Sequence, residues 1–350
     1  MPKKILTINE CYSDNIGDQA ISEAMKLFCQ LDPYDQVDVS DFSFRVKLNR
    51  NHPPYNKKKN WKKNLPIFIK KLFFLVKNFN KARNVAKKRY DLAVIGGGQL
   101  VLSNASFSTS MFLFTVFLKF YGSKIKLVSV GVGKKFSFFD KLLFKMSLML
   151  VDEVYVRDQQ SVVNLKKNFA HKSMIVPDIA YFLFESFDAV PKVKNSYLIS
   201  PVEYAVFERY HLEVGRSYLT EKEYFDEWID IIKSTLEKGG STKIYLAATT
   251  IKDLVFTQNL YDSLYGIYKD ERELYLLDKV ELQSYIKLIG QCENIISGRM
   301  HALILGHSNG LAVIPYNISQ KIESYEKDYL KEEVSLLKDK LLETARVNIL

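Results

Sequence analysis

The 350-residue sequence contains only three cysteines, Cys11, Cys29 and Cys292, which lie far apart along the chain. They form neither a disulfide framework nor the closely spaced pairs of a zinc site, and this usage fits a reducing cytoplasm. Long hydrophobic runs are also lacking, because a run such as residues 111–118 is too short to cross a bilayer. The opening MPKKILTINE has no apolar signal-peptide core. We therefore expect a cytoplasmic protein that is either soluble or bound to the inner face of the cytoplasmic membrane.

Acidic residues are missing from one long segment. Residues 45–89 contain sixteen Lys or Arg and no Asp or Glu, which leaves 34 basic and 40 acidic residues elsewhere, a net charge of −6. The overall charge of +10 therefore belongs to this segment. Residues 57–79 interleave Lys with Trp, Phe, Leu and Ile, as in segments attracted to anionic lipid headgroups. A buried helix with solvated lysines is the main alternative, and we expect no nucleic-acid binding because no motif of a known reader fold is present.

Strands and helices alternate through most of the sequence. Apolar runs predict strands at residues 4–9, 91–95, 126–130, 153–156, 173–176, 197–200, 243–247, 274–277, 294–296 and 312–314. Amphipathic stretches predict helices between them, beginning with residues 19–29 and ending with a charged helix at residues 326–342. Alternation of this kind indicates parallel sheets with right-handed crossovers.

The alternation breaks once, around residues 185–195, where Pro191 and several lysines predict a linker. We therefore expect an N-terminal α/β domain at residues 1–185, with a basic aromatic insertion at about 45–89. A C-terminal α/β domain would follow at residues 195–350, with a terminal helix that could pack back on the first domain. Two Rossmann-like domains facing a cleft, as in GT-B-type transferases, is the fold class that we predict.

A polar loop follows the first predicted strand. Gly17 permits a tight turn there, while Asn15 and Asp18 supply polar groups at the crevice end of the sheet. Asp18 could also be a simple cap for a helix that begins at Gln19.

A glycine-rich turn follows the second predicted strand. Gly97 and Gly98, followed by Gln99, would let a substrate or the other domain approach the backbone closely. A tight packing turn is an equal alternative. The turn lacks the Gly-Lys-Ser/Thr ending of a phosphate-binding loop and the GxGxxG spacing of dinucleotide folds.

Two arginines occupy matching places in the two halves of the chain. Arg157 and Arg299 each follow a predicted strand and precede a helix, where a ligand crevice is expected. Arginine can hold a carboxylate or phosphate by two parallel hydrogen bonds, and His301 adds a group that moves protons near neutral pH. The alternative is that both arginines pair with surface acids. Asp178, in VPDIA, could orient a sugar hydroxyl or a partner arginine, or be an ordinary turn residue.

Taken together, the sequence resembles the polysaccharide pyruvyl transferase family. The matching segments, in order, are NIGDQAI, DLAVIGGG, SVGVG, VRDQQS, VPDIA and SGRMHALILGHSNGLAVIPYN, with Lys321 shortly after them. The resemblance implies a GT-B-like fold and phosphoenolpyruvate as donor. No metal cluster is evident in the sequence, so we expect neither a metal nor a cofactor. The resemblance also implies that Arg157, Arg299, His301 and Lys321 bind the donor, and that His301 and Arg299 carry out catalysis.

The product implied is a pyruvate ketal on a hexose of a cell-surface polysaccharide precursor, such as a capsule or exopolysaccharide repeat, with a lipid-linked acceptor expected. For the acceptor or the cleft, the candidates are Asn15, Gly17, Asp18, Gly97, Gly98, Gln99 and Asp178. Two alternatives remain open at this point: a nucleotide-sugar glycosyltransferase of the same architecture, and a non-catalytic glycan- or membrane-binding protein.

Overall fold

The computed structural model describes residues 2–46, 66–104, 106–186, 191–237, 243–268 and 273–349. Residues 57–65 of the expected membrane-binding segment and residues 187–190 of the expected linker lie outside this described part. Among the described residues, no helix has both the length and the apolar character needed to span a bilayer.

The first half of the chain contains a parallel sheet of six strands in the spatial order β2-β1-β3-β4-β5-β6. The strands are β1 (Lys4–Asn9), β2 (Gln36–Asp41), β3 (Leu92–Gly96), β4 (Lys124–Val130), β5 (Glu153–Val156) and β6 (Met174–Ile175). The central strands β1, β3 and β4 are buried almost throughout, as expected for a parallel sheet covered on both faces. The helices of this half are α1 (Ile16–Cys29), α2 (Ile67–Ala86), α3 (Phe107–Phe120), α4 (Phe138–Leu148) and α5 (Gln159–Phe169).

The second half contains a parallel sheet of five strands in the order β11-β10-β7-β8-β9. These strands are β7 (Ser196–Ser200), β8 (Lys243–Ala247), β9 (Glu273–Leu277), β10 (Asn294–Ser297) and β11 (Ala312–Pro315). The helices are α6 (Tyr204–Tyr210), α7 (Glu221–Glu237), α8 (Ile251–Tyr268), α9 (Leu282–Gln291), α10 (Met300–Ser308), α11 (Gln320–Asp328) and α12 (Val334–Thr344). Both sheets agree with the predicted α/β class.

Two helix predictions were wrong. The first helix begins at Ile16 rather than Gln19, because the Asn15 side chain accepts a hydrogen bond from the Gly17 backbone N–H at 2.9 Å and so starts the helix earlier. Asp18 therefore lies inside the first helical turn and is not its cap. The predicted terminal helix is divided into α11 and α12, because the chain leaves the helical conformation at Tyr329 and buries that side chain.

The described chain forms two compact units. The first comprises Met1–Ser13, Ile21–Ile179 and Lys340–Leu350, and the second comprises Asp14–Ala20 and Ala180–Asp339. The boundary thus falls before the expected linker, in a 3₁₀ helix over Ile179–Ser186. Residues 14–20, which follow β1 in the chain, belong to the second unit, and the sequence pattern did not predict this.

Candidate functional site

In the second unit, Arg299 lies two residues beyond the end of β10 and immediately precedes α10. Its backbone N–H donates to Oγ of Ser297 at 3.0 Å, and that hydroxyl in turn donates to the Ser200 carbonyl of the neighbouring strand β7. Gly298 lies between Ser297 and Arg299, and a Cβ atom on it would lie 2.9 Å from the Val202 side chain. The turn that presents Arg299 is therefore fixed by two buried serines and a glycine.

The Arg299 guanidinium forms a two-pronged ion pair with Asp253. Nε of Arg299 donates to one carboxylate oxygen at 3.0 Å and Nη2 donates to the other at 2.5 Å. Asp253 is fully buried, whereas the Arg299 side chain remains 24% exposed. Because the pair uses the Nε and Nη2 edge of the guanidinium, the Nη1 edge lies outside it and has two N–H groups. The site can therefore hold an arginine rigidly and still offer donors to an anion.

Asp253 is itself built into the start of α8. Its carboxylate accepts hydrogen bonds from the hydroxyls of Thr249 and Thr250, at 3.3 Å and 2.9 Å, and from the Glu203 backbone N–H at 3.1 Å. Sequence reasoning missed Asp253 as a functional residue. In the sequence, Asp253 stands in the pattern Thr250-x-x-Asp253 after an apolar run. This spacing resembles a helix capping box, so it indicates the start of a helix and not a partner for an arginine.

His301 lies in the first turn of α10, half-buried, and contacts the loop that follows β1. A Cβ atom added to Gly17 would lie 2.5 Å from Nδ1 of His301 and 2.7 Å from its Cβ. The same loop is joined to the end of β8 by a hydrogen bond from the Ile16 N–H to the Thr249 carbonyl at 2.9 Å. The second unit thus brings together Gly17, Asp253, Arg299 and His301, with Asn15 capping the helix that carries Gly17.

In the first unit, Arg157 follows β5 and is only 3% exposed. Its Nη1 donates to Asp178 at 3.2 Å and its Nε donates to Asp158 at 3.3 Å. A Cβ atom at Gly131 would lie 2.9 Å from Nη2, so the guanidinium packs directly against the backbone of the SVGVG segment. Asp178 is also buried, so it is an ion-pair partner of Arg157 and not an exposed turn residue.

The glycine turn after β3 is closely packed. Gly97 and Gly98 have positive φ angles of 69° and 72°. A Cβ atom at Gly97 would lie 2.1 Å from the Ile21 side chain, and the Gly97 N–H donates to the Val128 carbonyl at 2.9 Å. Gln99 is half-buried beside the turn. These contacts agree with the packing-turn interpretation of the two glycines.

The remaining candidate residues are placed as follows. Lys321 is exposed in the first turn of α11, and Asp18 is half-buried in the first turn of α1. Among the described residues, no group of three or more His, Cys, Asp or Glu side chains is arranged to hold a metal ion. The expected pairing of Arg157 with Arg299 around one ligand stays a prediction.

Comparison with solved structures identifies the fold. The chain is similar to a UDP-N-acetylglucosamine 2-epimerase of Listeria monocytogenes, described there as putative, with a TM-score of 0.57 and 11% sequence identity over 100% of this chain and 92% of that one. It is also similar to S. aureus MnaA in a co-structure with UDP, with a TM-score of 0.53 and 12% identity over 97% and 91% of the two chains. These enzymes have the GT-B fold, so the predicted fold class is confirmed.

Comparison with models of sequence families identifies the family of this chain. A search of curated protein sequences gave no significant match. The sequence profile of polysaccharide pyruvyl transferases, in contrast, matches residues 15–320, which include every candidate site residue except Lys321. The chain therefore belongs to the polysaccharide pyruvyl transferase family.

Proposed function

We propose that this protein transfers the pyruvyl group of phosphoenolpyruvate to two hydroxyls of a hexose in a cell-surface polysaccharide precursor, forming a ketal. The observation that carries the proposal is the Arg299–Asp253 pair beside His301, within a chain of the pyruvyl transferase family. A lipid-linked acceptor in the cytoplasm is part of the same proposal.

Arg299 suits the donor by its charge and its geometry. Phosphoenolpyruvate carries a carboxylate and a phosphate on one three-carbon frame, and a guanidinium can bind either group through two hydrogen bonds. Asp253 holds the guanidinium by its Nε and Nη2 edge, so Arg299 has little side-chain freedom left to lose when the donor binds. We assign Arg299 to donor binding and to stabilising negative charge on the departing phosphate.

His301 is our choice for proton transfer. The imidazolium of His301 gives a proton to the methylene carbon of phosphoenolpyruvate as the oxygen of one sugar hydroxyl bonds to C2, and the imidazole then takes up the proton of that hydroxyl. The second hydroxyl then bonds to C2 as the C2–O bond to phosphate breaks, which releases inorganic phosphate and one hydroxyl proton. An imidazole can give and then take a proton near neutral pH, and such assistance typically accelerates a reaction by about 10²- to 10⁴-fold. The contact with Gly17 holds the His301 ring in one place for this exchange.

Arg157 has a different environment and, in this proposal, a more indirect part. Two carboxylates, Asp158 and Asp178, already share its charge, and its side chain is buried. We propose that Arg157 acts mainly by holding the loops after β4 and β5 in position. Asn15, Asp18 and Gln99 are proposed for the acceptor side, and Lys321 for the donor phosphate.

A nucleotide-sugar transferase is the second candidate, because MnaA of the same fold was solved with UDP. Thermal unfolding separates the two, since a ligand selective for the folded state raises stability by about 2.7 kcal/mol at 100 times its Kd. The experiment compares phosphoenolpyruvate with UDP-N-acetylglucosamine on wild type, Arg299→Ala and the exposed control Arg209→Ala. Our proposal requires a shift with phosphoenolpyruvate that Arg209→Ala keeps and Arg299→Ala loses. A shift with the nucleotide sugar alone would replace the proposal by the second candidate.

A further inference from the structure

Helix α2 carries many of its large apolar side chains on the outside, although Phe74, Leu75 and Val85 pack on the core. Its buried positions are Lys71, Asn78, Ala82 and Ala86, which are polar or small. The exposed positions include large apolar side chains: Ile67, Phe68, Leu72, Phe73, Val76 and Phe79. This is the reverse of the usual arrangement for a helix that packs on a sheet. The alternative of a buried helix with solvated lysines therefore does not hold for the described part of this segment, where Lys71 is buried and several apolar side chains are exposed.

A buried ion pair fixes α2 in this orientation. Nζ of Lys71 lies 2.5 Å from Oδ1 of Asp140 in α4, and it also donates to the Ser108 hydroxyl of α3 at 3.1 Å. Both charged side chains are almost fully buried. A rotation of α2 that hid its apolar side chains would bring Lys71 out and leave the Asp140 charge buried without its partner, which is costly. The outward apolar row is therefore a stable property of the fold.

The apolar row continues onto the neighbouring helix α4. Phe138 and Met149 are 77% and 78% exposed, and Leu142 and Met146 are exposed as well. The rings of Phe68 in α2 and Phe139 in α4 stack with centroids 6.1 Å apart, which joins the two exposed rows. A continuous apolar surface of this kind marks an interaction site rather than scattered exposed residues.

The space between α2 and α3 is apolar too. A groove of about 490 Å³ lies beside the exposed row and is lined by Leu75, Val76, Phe79, Phe112, Val116 and Phe117. The ring of Phe79 packs edge-on against Phe117 at 4.8 Å, so the groove has aromatic walls. Such a groove can accept a hydrocarbon chain that a partner presents beside the exposed row.

The charges around this surface are of one sign. Helices α2 and α4 contain a single acid, Asp140, and it is buried against Lys71. Exposed cations lie along α2 at Lys77 and Arg83, and the exposed Lys87 directly follows the helix. Exposed apolar side chains beside exposed cations match a bilayer interface with anionic headgroups, to which each nearby basic residue adds about 1 kcal/mol of attraction.

We infer that α2 and α4, with the groove between α2 and α3, form a surface that docks on an anionic lipid bilayer. The apolar side chains enter the interface, the basic side chains contact the headgroups, and the groove receives an acyl chain. This inference concerns the first unit alone and does not depend on the proposed reaction.

Vesicle co-sedimentation of the full chain tests the surface. Vesicles of phosphatidylglycerol and phosphatidylcholine are compared with vesicles of phosphatidylcholine alone, at low and high salt. We expect binding to the anionic vesicles that weakens with salt, because screening reduces headgroup attraction. Equal binding to both vesicle types, or none to the anionic vesicles at low salt, would overturn the inference.

Two sets of variants assign the binding to this surface. The apolar variant Leu72→Ser, Phe73→Ser, Val76→Ser should lower the partition coefficient by at least about tenfold. The charge variant Lys77→Gln, Arg83→Gln, Lys87→Gln should lower it by on the order of 100-fold at low salt. The matched controls are Leu212→Ser with Val255→Ser, and Lys166→Gln, Lys167→Gln, Lys172→Gln, which are exposed positions elsewhere.

Thermal unfolding of each variant establishes that it is folded before binding is measured, and the charge variant removes no buried group. Controls that lose binding as strongly as the test variants would overturn the assignment. Sedimentation velocity adds an independent outcome. A wild-type dimer that the apolar variant dissociates, together with absent vesicle binding, would assign the surface to a second copy of the chain instead.

Discussion

Gly17 and His301 are in such close contact that the position a Cβ atom would take on Gly17 lies 2.5 Å from Nδ1 of His301. No side chain larger than hydrogen fits there without moving the imidazole or the start of α1. The observed placement of His301, the proposed proton-transfer group, therefore requires glycine at position 17.

Gly17→Ala should therefore reduce pyruvyl transfer by at least about tenfold, because small misplacement of a reacting group can cost up to about 10²-fold. Binding of phosphoenolpyruvate, measured by thermal shift, should fall less than the turnover rate, since Arg299 is untouched.

The matched control is Gly266→Ala, in an exposed part of α8 where an added Cβ meets no atom within 4 Å. It should keep full activity and gain up to about 1 kcal/mol of stability through helix propensity. If Gly17→Ala behaves like this control, the contact with His301 has no bearing on catalysis.

Asp253→Asn tests the carboxylate that orients Arg299. Loss of the charge should lower the free energy of unfolding by about 3 kcal/mol, since a hydrogen bond to a charged group contributes about 1.5–3 kcal/mol. The stabilisation of the protein by phosphoenolpyruvate should also disappear. The exposed substitution Asp262→Asn, in the same helix, should change neither quantity. Persistence of the ligand-induced shift in Asp253→Asn would show that Arg299 binds without its buried partner.

We expect the Asp140 carboxylate to add to the free energy of unfolding at neutral pH and to lose this contribution in acid. Burial opposes ionisation of Asp140, but hydrogen bonds from Lys71, Ser103, Ser108 and Ser137 outweigh it and hold the pKa of this carboxyl below its ordinary value of 3.8. Because the folded-state pKa is the lower one, the unfolded chain takes up the proton first as the pH falls. The contribution of Asp140 is thus complete above about pH 4 and is lost as the pH falls through its folded-state pKa.

Urea unfolding of wild type and Asp140→Asn between pH 7 and pH 3 measures this contribution. At pH 7 the variant should be less stable by about 3–5 kcal/mol, the usual cost of breaking a buried ion pair. Below about pH 4 the difference between the two proteins should shrink. A difference that stays constant down to pH 3 would rule out ionised Asp140 as its source.

The three cysteines should be poor nucleophiles in the folded protein. Burial, and then the Asp41 carboxylate, raise the pKa of Cys11 to about 12, and burial raises the pKa values of Cys29 and Cys292 as well. Because the thiolate is the reactive form, a disulfide reagent at pH 8 should modify the native protein slowly and reach three thiols per chain only after denaturation. One fast-reacting thiol in the native state would mean that the loop around Cys11 opens in solution.

The sheets were predictable because their central strands are uninterrupted apolar runs that end at glycine or at charge. Strand β5, which is followed by Arg157, coincides with its predicted range for this reason. Strand β2 was missed, since its sequence QVDVSD alternates valine with acidic and hydroxyl residues at the edge of the sheet. Edge strands need only one neighbour and one apolar face, so their sequence pattern is weak.

The placement of Arg299 and His301 at the start of a helix that follows a buried strand was predictable, because the apolar run of β10 ends just before them. Asp253 was not, because its pairing with Arg299 joins residues 46 positions apart that follow β8 and β10, two strands that are not adjacent. The packing of Gly17 on His301 was missed for a similar reason. A turn glycine indicates a bend, but the group that fills the space beside it is decided by tertiary structure.

Helix α1 begins in one compact unit and ends in the other, since residues 16–20 belong to the second unit and residues 21–29 to the first. The two halves of this chain are therefore not interchangeable modules. A fragment that starts at residue 180 would have Asp253, Arg299 and His301 but not the glycine against which the imidazole packs. Any chimera that borrows this second unit for another acceptor specificity would have to inherit residues 14–20 from the same parent.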